Sequence, residues 1–272
     1  MFFLVLVYKF GSAQNRYHDT IEPRLTFSTD KKPSLASGEI IVLGKDTLFA
    51  HFDKDLDLSN FNLLIEDEKF YNYYRWVVLR YANDRYLHQW TVPIKIYMGE
   101  EFPKSIAEKF KAFYSQIEGI KNLNISFVNK IKNANYHIKL TEADINAYDE
   151  NFEFDSDAER KNFIYTGCTY KLNTDKNFKF YGGTLTMNSK RLQNENRALN
   201  QLKQLFFLSL GNFILTTSSR SENSLINKNY IPQDSISELD LKLLRIHYHI
   251  LYEQPVNKRT FSQLMKFRKD KK

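Results

Sequence analysis

Six histidines, one cysteine and an acidic stretch are the groups in this 272-residue chain whose types suit chemistry. The histidines are His18, His51, His88, His137, His247 and His249. Only His247 and His249 lie close in sequence, and a spacing of two turns them away from each other on the helix that the surrounding pattern predicts. His137 falls in a strand pattern and is read as a half-buried ring, so no metal site is expected. Cys168 has no partner for an internal disulfide. Its neighbours Tyr165, Thr166, Gly167 and Thr169 supply no base, which makes it a buried thiol rather than a nucleophile. Asp53, Asp55 and Asp57 alternate as calcium ligands do, but no glycine stands at the sixth position and Leu64 occupies the twelfth. A solvated turn is expected there. Asp144, Asp149, Glu150, Glu153, Asp155, Asp157 and Glu159 crowd residues 141–163, and without a fixed geometry they read as a solvated insertion rather than an acid–base pair. There is no Gly-x-Ser-x-Gly elbow and no Walker loop, and Gly182-Gly183 reads only as a turn.

The composition, 42% hydrophobic and 26% charged, suits one or two globular domains with a real core. Net charge is +7, but 39 basic residues are interspersed with 32 acidic ones. The basic residues concentrate only at Lys266–Lys272, so a solvated surface is expected and no nucleic-acid partner. Residues 1–14 read as a signal peptide: Phe2–Val7 is apolar and Gly11-Ser12-Ala13 offers small residues for cleavage. The basic residues that open such a leader are missing, as a truncated start would give; the alternative is a buried N-terminal strand. The run is too short to span a bilayer, and no other segment could.

Residues 15–64 read as an N-terminal extension, with one or two strands in Gly38–Phe52 turning at Gly44-Lys45-Asp46. An aromatic helix is expected over Glu66–Tyr86, then one strand over Trp90–Tyr97. An amphipathic helix follows over Pro103–Glu118, its stripe being Ile106, Phe110, Phe113, Tyr114 and Ile117. Leu123–Val128 and Tyr136–Leu140 read as strands. After the acidic stretch come a strand at Thr184–Met187 and a long helix in which Leu199, Leu202, Leu205, Phe206, Ser209 and Leu210 recur at helical spacing. Gly211 stands where a left-handed residue often ends a helix. Ser235 and Glu238 fit a capping box for a last helix over Ser235–Leu251. The fold class is α+β, a twisted mixed sheet with helices, and residues 253–272 form a basic tail.

This order, with Leu208–Gly211 closing the long helix and Ile236–Tyr248 the last one, resembles the catalytic domain of metzincin-type zinc peptidases. It is more similar still to a bacterial, exported, zincin-like family of unknown function. Trp90-Thr91-Val92-Pro93-Ile94 matches that family's Trp-x-x-Pro-Ile/Val strand, and Ser224-Leu225-Ile226 its following Ser-Ile/Leu segment. The resemblance covers about residues 65–252 and implies a zincin-like domain there, with a long helix of the active-site type. The zinc motif of the peptidases is His-Glu-x-x-His-x-x-Gly-x-x-His, two helical nitrogens for the metal and a carboxylate for its water. With its glycine on Gly211, the ligand and base positions fall on Gln204, Leu205, Leu208 and Ile214, none of which can serve.

The resemblance therefore implies a degenerate metallopeptidase fold, a pseudoenzyme, exported to the periplasm or beyond. It would act as a monomer in binding or in a structural role, with no cofactor. Its cleft would lie between the sheet and the long helix. Thr184, Thr186 and Asn188 would line it from an edge strand, Gln201, Gln204 and Leu208 from the helix, and Ser224 and Asn227 from the loop beyond. An extended peptide could add beside that edge strand. Two alternatives are an active hydrolase using Gln204, Glu195 or the acidic loop, and a basic module binding anionic surfaces through Lys266–Lys272.

Overall fold

The computed structural model describes residues 40–43, 46–49, 68–79, 87–145, 164–176, 178–217, 222–252, 256–258 and 261. The leader, the Asp53–Asp57 turn, His18, His51, most of the acidic stretch and the Lys266–Lys272 tail lie outside these residues. All described residues belong to one compact unit, Ser34–Lys272.

Strands β1 (Ile40–Leu43) and β2 (Asp46–Phe49) pair antiparallel, with Leu43 opposite Asp46; the expected turn residues 44 and 45 lie outside the described residues. Helix α1 (Glu68–Leu79) buries Phe70, Tyr71, Tyr74 and Val77, one face at helical spacing. The expected strand over Trp90–Tyr97 is two strands, β3 (Gln89–Trp90) and β4 (Ile94–Met98). Pro93 has no N–H to continue a ladder, and the chain steps sideways there. Asn135 holds the step, accepting from Lys95 N–H at 2.7 Å and donating to the Pro93 carbonyl at 2.9 Å. Helix α2 (Lys104–Tyr114) follows Pro103 and buries Ile106, Phe110, Phe113 and Tyr114. It ends earlier than expected, and Ile117 is buried in the turn beyond.

Strands β5 (Ile125–Phe127), β6 (Tyr136–Thr141), β7 (Cys168–Thr174) and β8 (Lys179–Asn188) complete a six-stranded sheet. β5, β4, β6 and β8 lie side by side and parallel. β3 continues the β6 position beside the start of β8, also parallel. β7 runs antiparallel on the far side of β8. The sheet is thus mostly parallel, in a mixed α+β fold.

Helix α3 (Glu195–Ser209) is capped by Asn194, whose side chain accepts from Arg197 N–H. It ends at Ser209 with Leu210 as its C-cap, as the glycine pattern suggests, but the left-handed residue comes one position later. Phe213 N–H reaches back to the Leu208 carbonyl at 2.9 Å, and Asn212, at φ 51°, takes the left-handed position. Gly211 serves another purpose: a Cβ there would lie 2.2 Å from the Phe213 ring and 2.9 Å from His247 Nε2. Helix α4 (Glu238–Arg245) is capped by Ser237 rather than Ser235, with Asp240 N–H donating to the serine. It runs on through a π-type turn, Ile246–Ile250.

Phe206 sits at the centre of the core. Its ring meets Phe110, Tyr114 and Tyr136 edge-on at 5.6, 4.6 and 5.0 Å, the geometry that aligns ring edge with ring face. Polar tips of Tyr114 and of two further buried aromatics, Trp90 and Tyr248, donate to carbonyls of α3 and its C-cap. Trp90 Nε1 donates to Ser209 O at 3.2 Å, Tyr248 OH to Leu210 O and Tyr114 OH to Lys203 O. A helix end this deep in the core has no water to take its free carbonyls, which accounts for the density of Tyr and Trp.

Candidate functional site

The residues expected to form one cleft are not brought together. β8 is not an edge strand: Thr184 and Thr186 pair with His137 and Lys139 on one side and with Lys171 and Thr169 on the other. No backbone edge remains there for an added peptide strand. Side chains alternate across a strand, and Leu185 and Met187 are the residues buried toward α3, beside Tyr136 at the Gly183 level. Thr184, Thr186 and Asn188 therefore occupy the opposite face from Gln201, Gln204 and Leu208. The strand at the margin, β7, has no strong apolar alternation and was not expected.

On α3, the positions that the resemblance aligns with the zinc motif are packing positions. Leu205 and Leu208 are fully buried and Gln204 is 7% exposed. Gln204 Nε2 donates to Leu225 O at 3.2 Å and Asn227 O at 2.9 Å, tying the helix to the loop beneath it. That loop is fixed from its other side by Asp240, which accepts from Ser224 OH, Leu225 N–H and Ser237 OH. Burial nonetheless pushes the Asp240 carboxyl up to about 6. Gln204 thus bonds the loop at Leu225 and Asn227, and Ser224 is bonded to Asp240, in a buried junction rather than a cleft. Gln201 is buried nearby, donating to Ile164 O at 3.3 Å while its own carbonyl oxygen has no hydrogen-bond partner.

Of the groups named for the hydrolase alternative, most of the acidic stretch lies outside the described residues, and Glu195 and Gln204 lie apart. Glu195 opens α3, where it accepts from Ser105 OH at 2.8 Å. Gln204 lies roughly 13 Å further along the helix axis at 1.5 Å per residue, too far for the two to act on one bond.

His247 is fully buried and bridges three segments. Nε2 lies 2.8 Å from the His88 carbonyl, which can only accept, so Nε2 carries the proton. Nδ1 then accepts from Tyr74 OH at 2.9 Å. Burial pushes its pKa down to about 3, against the raising effect of the His88 bond. Both nitrogens are occupied, and His249 is exposed on the other side of the turn. His137 is half-buried with Nε2 unpartnered. Cys168 is fully buried, and that burial pushes its thiol pKa far up, as for an inert structural cysteine. Among the described residues no three His, Cys, Asp or Glu side chains converge on a point where an ion could bind. No described helix is long and apolar enough to cross a membrane.

An open cleft lies elsewhere, at the C-terminal ends of β6 and β8. It has a volume of about 340 Å³ and is lined by Asp144, Ile145, Thr166, Gly167, Asn188, Lys190 and Arg191. Asn188, the one expected site residue here, is a scaffold: it donates to Ala143 O at 2.8 Å and accepts from Lys190 N–H at 2.9 Å. Lys190 and Asp144 form an exposed ion pair at 3.6 Å. Nothing in the local pattern around Arg191 marks it, because the cleft is made by three segments distant in sequence. No protein-family profile matches the chain, and no curated protein matches it in sequence.

Proposed function

We propose that this chain is an exported, zincin-like protein without a metallopeptidase centre, acting in binding or in a structural role at the bacterial envelope. The observation that carries the reading is the state of Gln204, Leu205 and Leu208. All three are buried, two are aliphatic, and the third has its amide bonded to two backbone carbonyls. A zinc ligand needs a lone pair facing a space that admits water and substrate, and these positions offer neither. The element order from β4 to α4, with a long buried helix directly after the last strand, supports the zincin-like part. The partner is an extended peptide or protein segment, held somewhere other than along β8.

The test is the metal content of the purified chain by mass spectrometry after a chelator wash and zinc reloading. Far less than one zinc per chain is the expected result. One tightly held zinc per chain overturns the reading.

A further inference from the structure

The cleft at the ends of β6 and β8 holds a guanidinium with nothing to bind. Arg191 lines it and, among the described residues, makes no hydrogen bond and no ion pair. A half-buried charge without a partner is unfavourable. Burial, and then repulsion from Arg197, hold the Arg191 pKa below its usual value, yet a guanidinium remains charged at any physiological pH. The side chain is nevertheless given a shaped seat. Gly167 takes φ 73°, open to glycine at no cost, and a Cβ there would lie 2.6 Å from Arg191 Nε. The glycine is needed both for the turn and for the arginine's place. The location adds a second argument: in open parallel sheets ligands sit in the crevice beyond the carboxyl ends of the strands.

We infer that this cleft binds a carboxylate, with Arg191 as the residue that grips it. A guanidinium presents a planar fork of donors that matches a carboxylate's two oxygens. Charge selects among anions. Lys190 and Asp144 offset each other across the mouth, which leaves Arg191 as the uncompensated charge lining the cleft. A monoanion neutralises it, whereas a phosphate dianion would bring a second charge with no partner among the lining residues. The volume suits a small organic acid or the last residues of a peptide, so two sources share this chemistry. The inference does not depend on the absence of zinc and survives or fails separately.

The test follows the Arg191 Nε–H resonance of the full chain by NMR during titration with acetate, with N-acetyl-dialanine carrying a free or an amidated C-terminus, and with inorganic phosphate at matched ionic strength. A saturable shift with acetate and with the free-acid peptide, and none with the amide, is expected. Tighter binding of the peptide acid than of acetate identifies a chain terminus as the ligand; equal binding identifies a small organic acid. Calorimetry on Arg191→Gln should show affinity down by about tenfold or more, the effect of losing one charge-assisted contact. Arg191→Lys, which keeps the charge and loses the fork, should fall between. Overturning results are no saturable shift in the wild type, unchanged affinity in a folded Arg191→Gln chain, or phosphate binding tighter than either carboxylate.

Discussion

Two regions flanking α3 treat their polar groups in opposite ways. At the junction of α3, the 224–227 loop and α4, Gln204 holds two carbonyls and Asp240 accepts from three donors. Just before α3, Arg191 faces a cleft and is bonded to nothing among the described residues. A buried polar group that is fully paired fixes a structure; one that is seated and unpaired points to something outside the chain. The resemblance to zinc peptidases directs attention to the first region, while the unused chemistry lies in the second.

The harshest way to break this comparison is to introduce the His-Glu-x-x-His pattern on α3 with Gln204→His, Leu205→Glu and Leu208→His together. Three polar groups would enter a packed core, and burying an unpaired charge alone costs several kcal/mol. Loss of cooperative urea unfolding is expected, costing more than about 5 kcal/mol. A folded triple variant that takes up one zinc would mean that the junction is a closed cleft rather than a core.

Acidity separates the two titrating groups near that junction. His247 has a folded pKa of about 3 against 6.5, so the unfolded chain takes the proton first and stability falls as pH drops through that window. Asp240 behaves oppositely: its carboxyl sits at about 6 against 3.8, the folded chain takes the proton first, and stability rises as pH drops between them. Urea unfolding between about pH 6 and pH 4 should therefore show His247→Gln shedding an acid penalty relative to wild type, by up to about 1.4 kcal/mol per pH unit. Asp240→Asn should deepen the penalty by a similar amount. Parallel pH profiles for both variants and the wild type would remove this picture of the core.

Gln204→Leu is a gentler probe. It keeps the volume but leaves Leu225 O without its donor and Asn227 O with only Tyr230 N–H, at a cost of about 2 kcal/mol in urea denaturation. A neutral result would make the junction looser than its hydrogen bonds indicate. The smallest effect is expected for Arg191→Gln, within about 0.5 kcal/mol of wild type, since no bond in the fold is lost. A loss above 1 kcal/mol, as read from the same denaturation, would turn Arg191 into a structural residue and erase the contrast.

Much of the fold was legible. The Ile106–Tyr114 stripe, the aromatic face of α1 and the buried face of α3 all follow from apolar spacing, because burial of one face is what imposes the period. The errors cluster where a partner segment decides. Trp90–Tyr97 reads as one strand by composition, yet it splits because β8 takes its first part and β6 its second. Gly211 resembles a left-handed cap, but His247 and Phe213, far and near in sequence, require a residue without Cβ, and Asn212 makes the turn. Of the residues expected to line a cleft, Gln204 bonds the Leu225 and Asn227 carbonyls and Ser224 bonds Asp240 in a buried junction, a pairing that local spacing does not encode. Thr184 and Thr186 were misplaced because the strand's period was read without knowing which face α3 covers.

By itself the sequence determined which faces are apolar, where α2 and α3 lie, and that the positions which the resemblance aligns with zinc ligands hold Gln and aliphatic residues. Those are properties of local periodicity and side-chain chemistry. Only the tertiary structure decided that β8 is an inner strand, that Asp240 and Gln204 clamp one loop from both sides, and that Arg191, without a partner among the described residues, lines a cleft built from residues 144, 167 and 188. Such facts depend on which distant segments meet, and no window along the chain contains them.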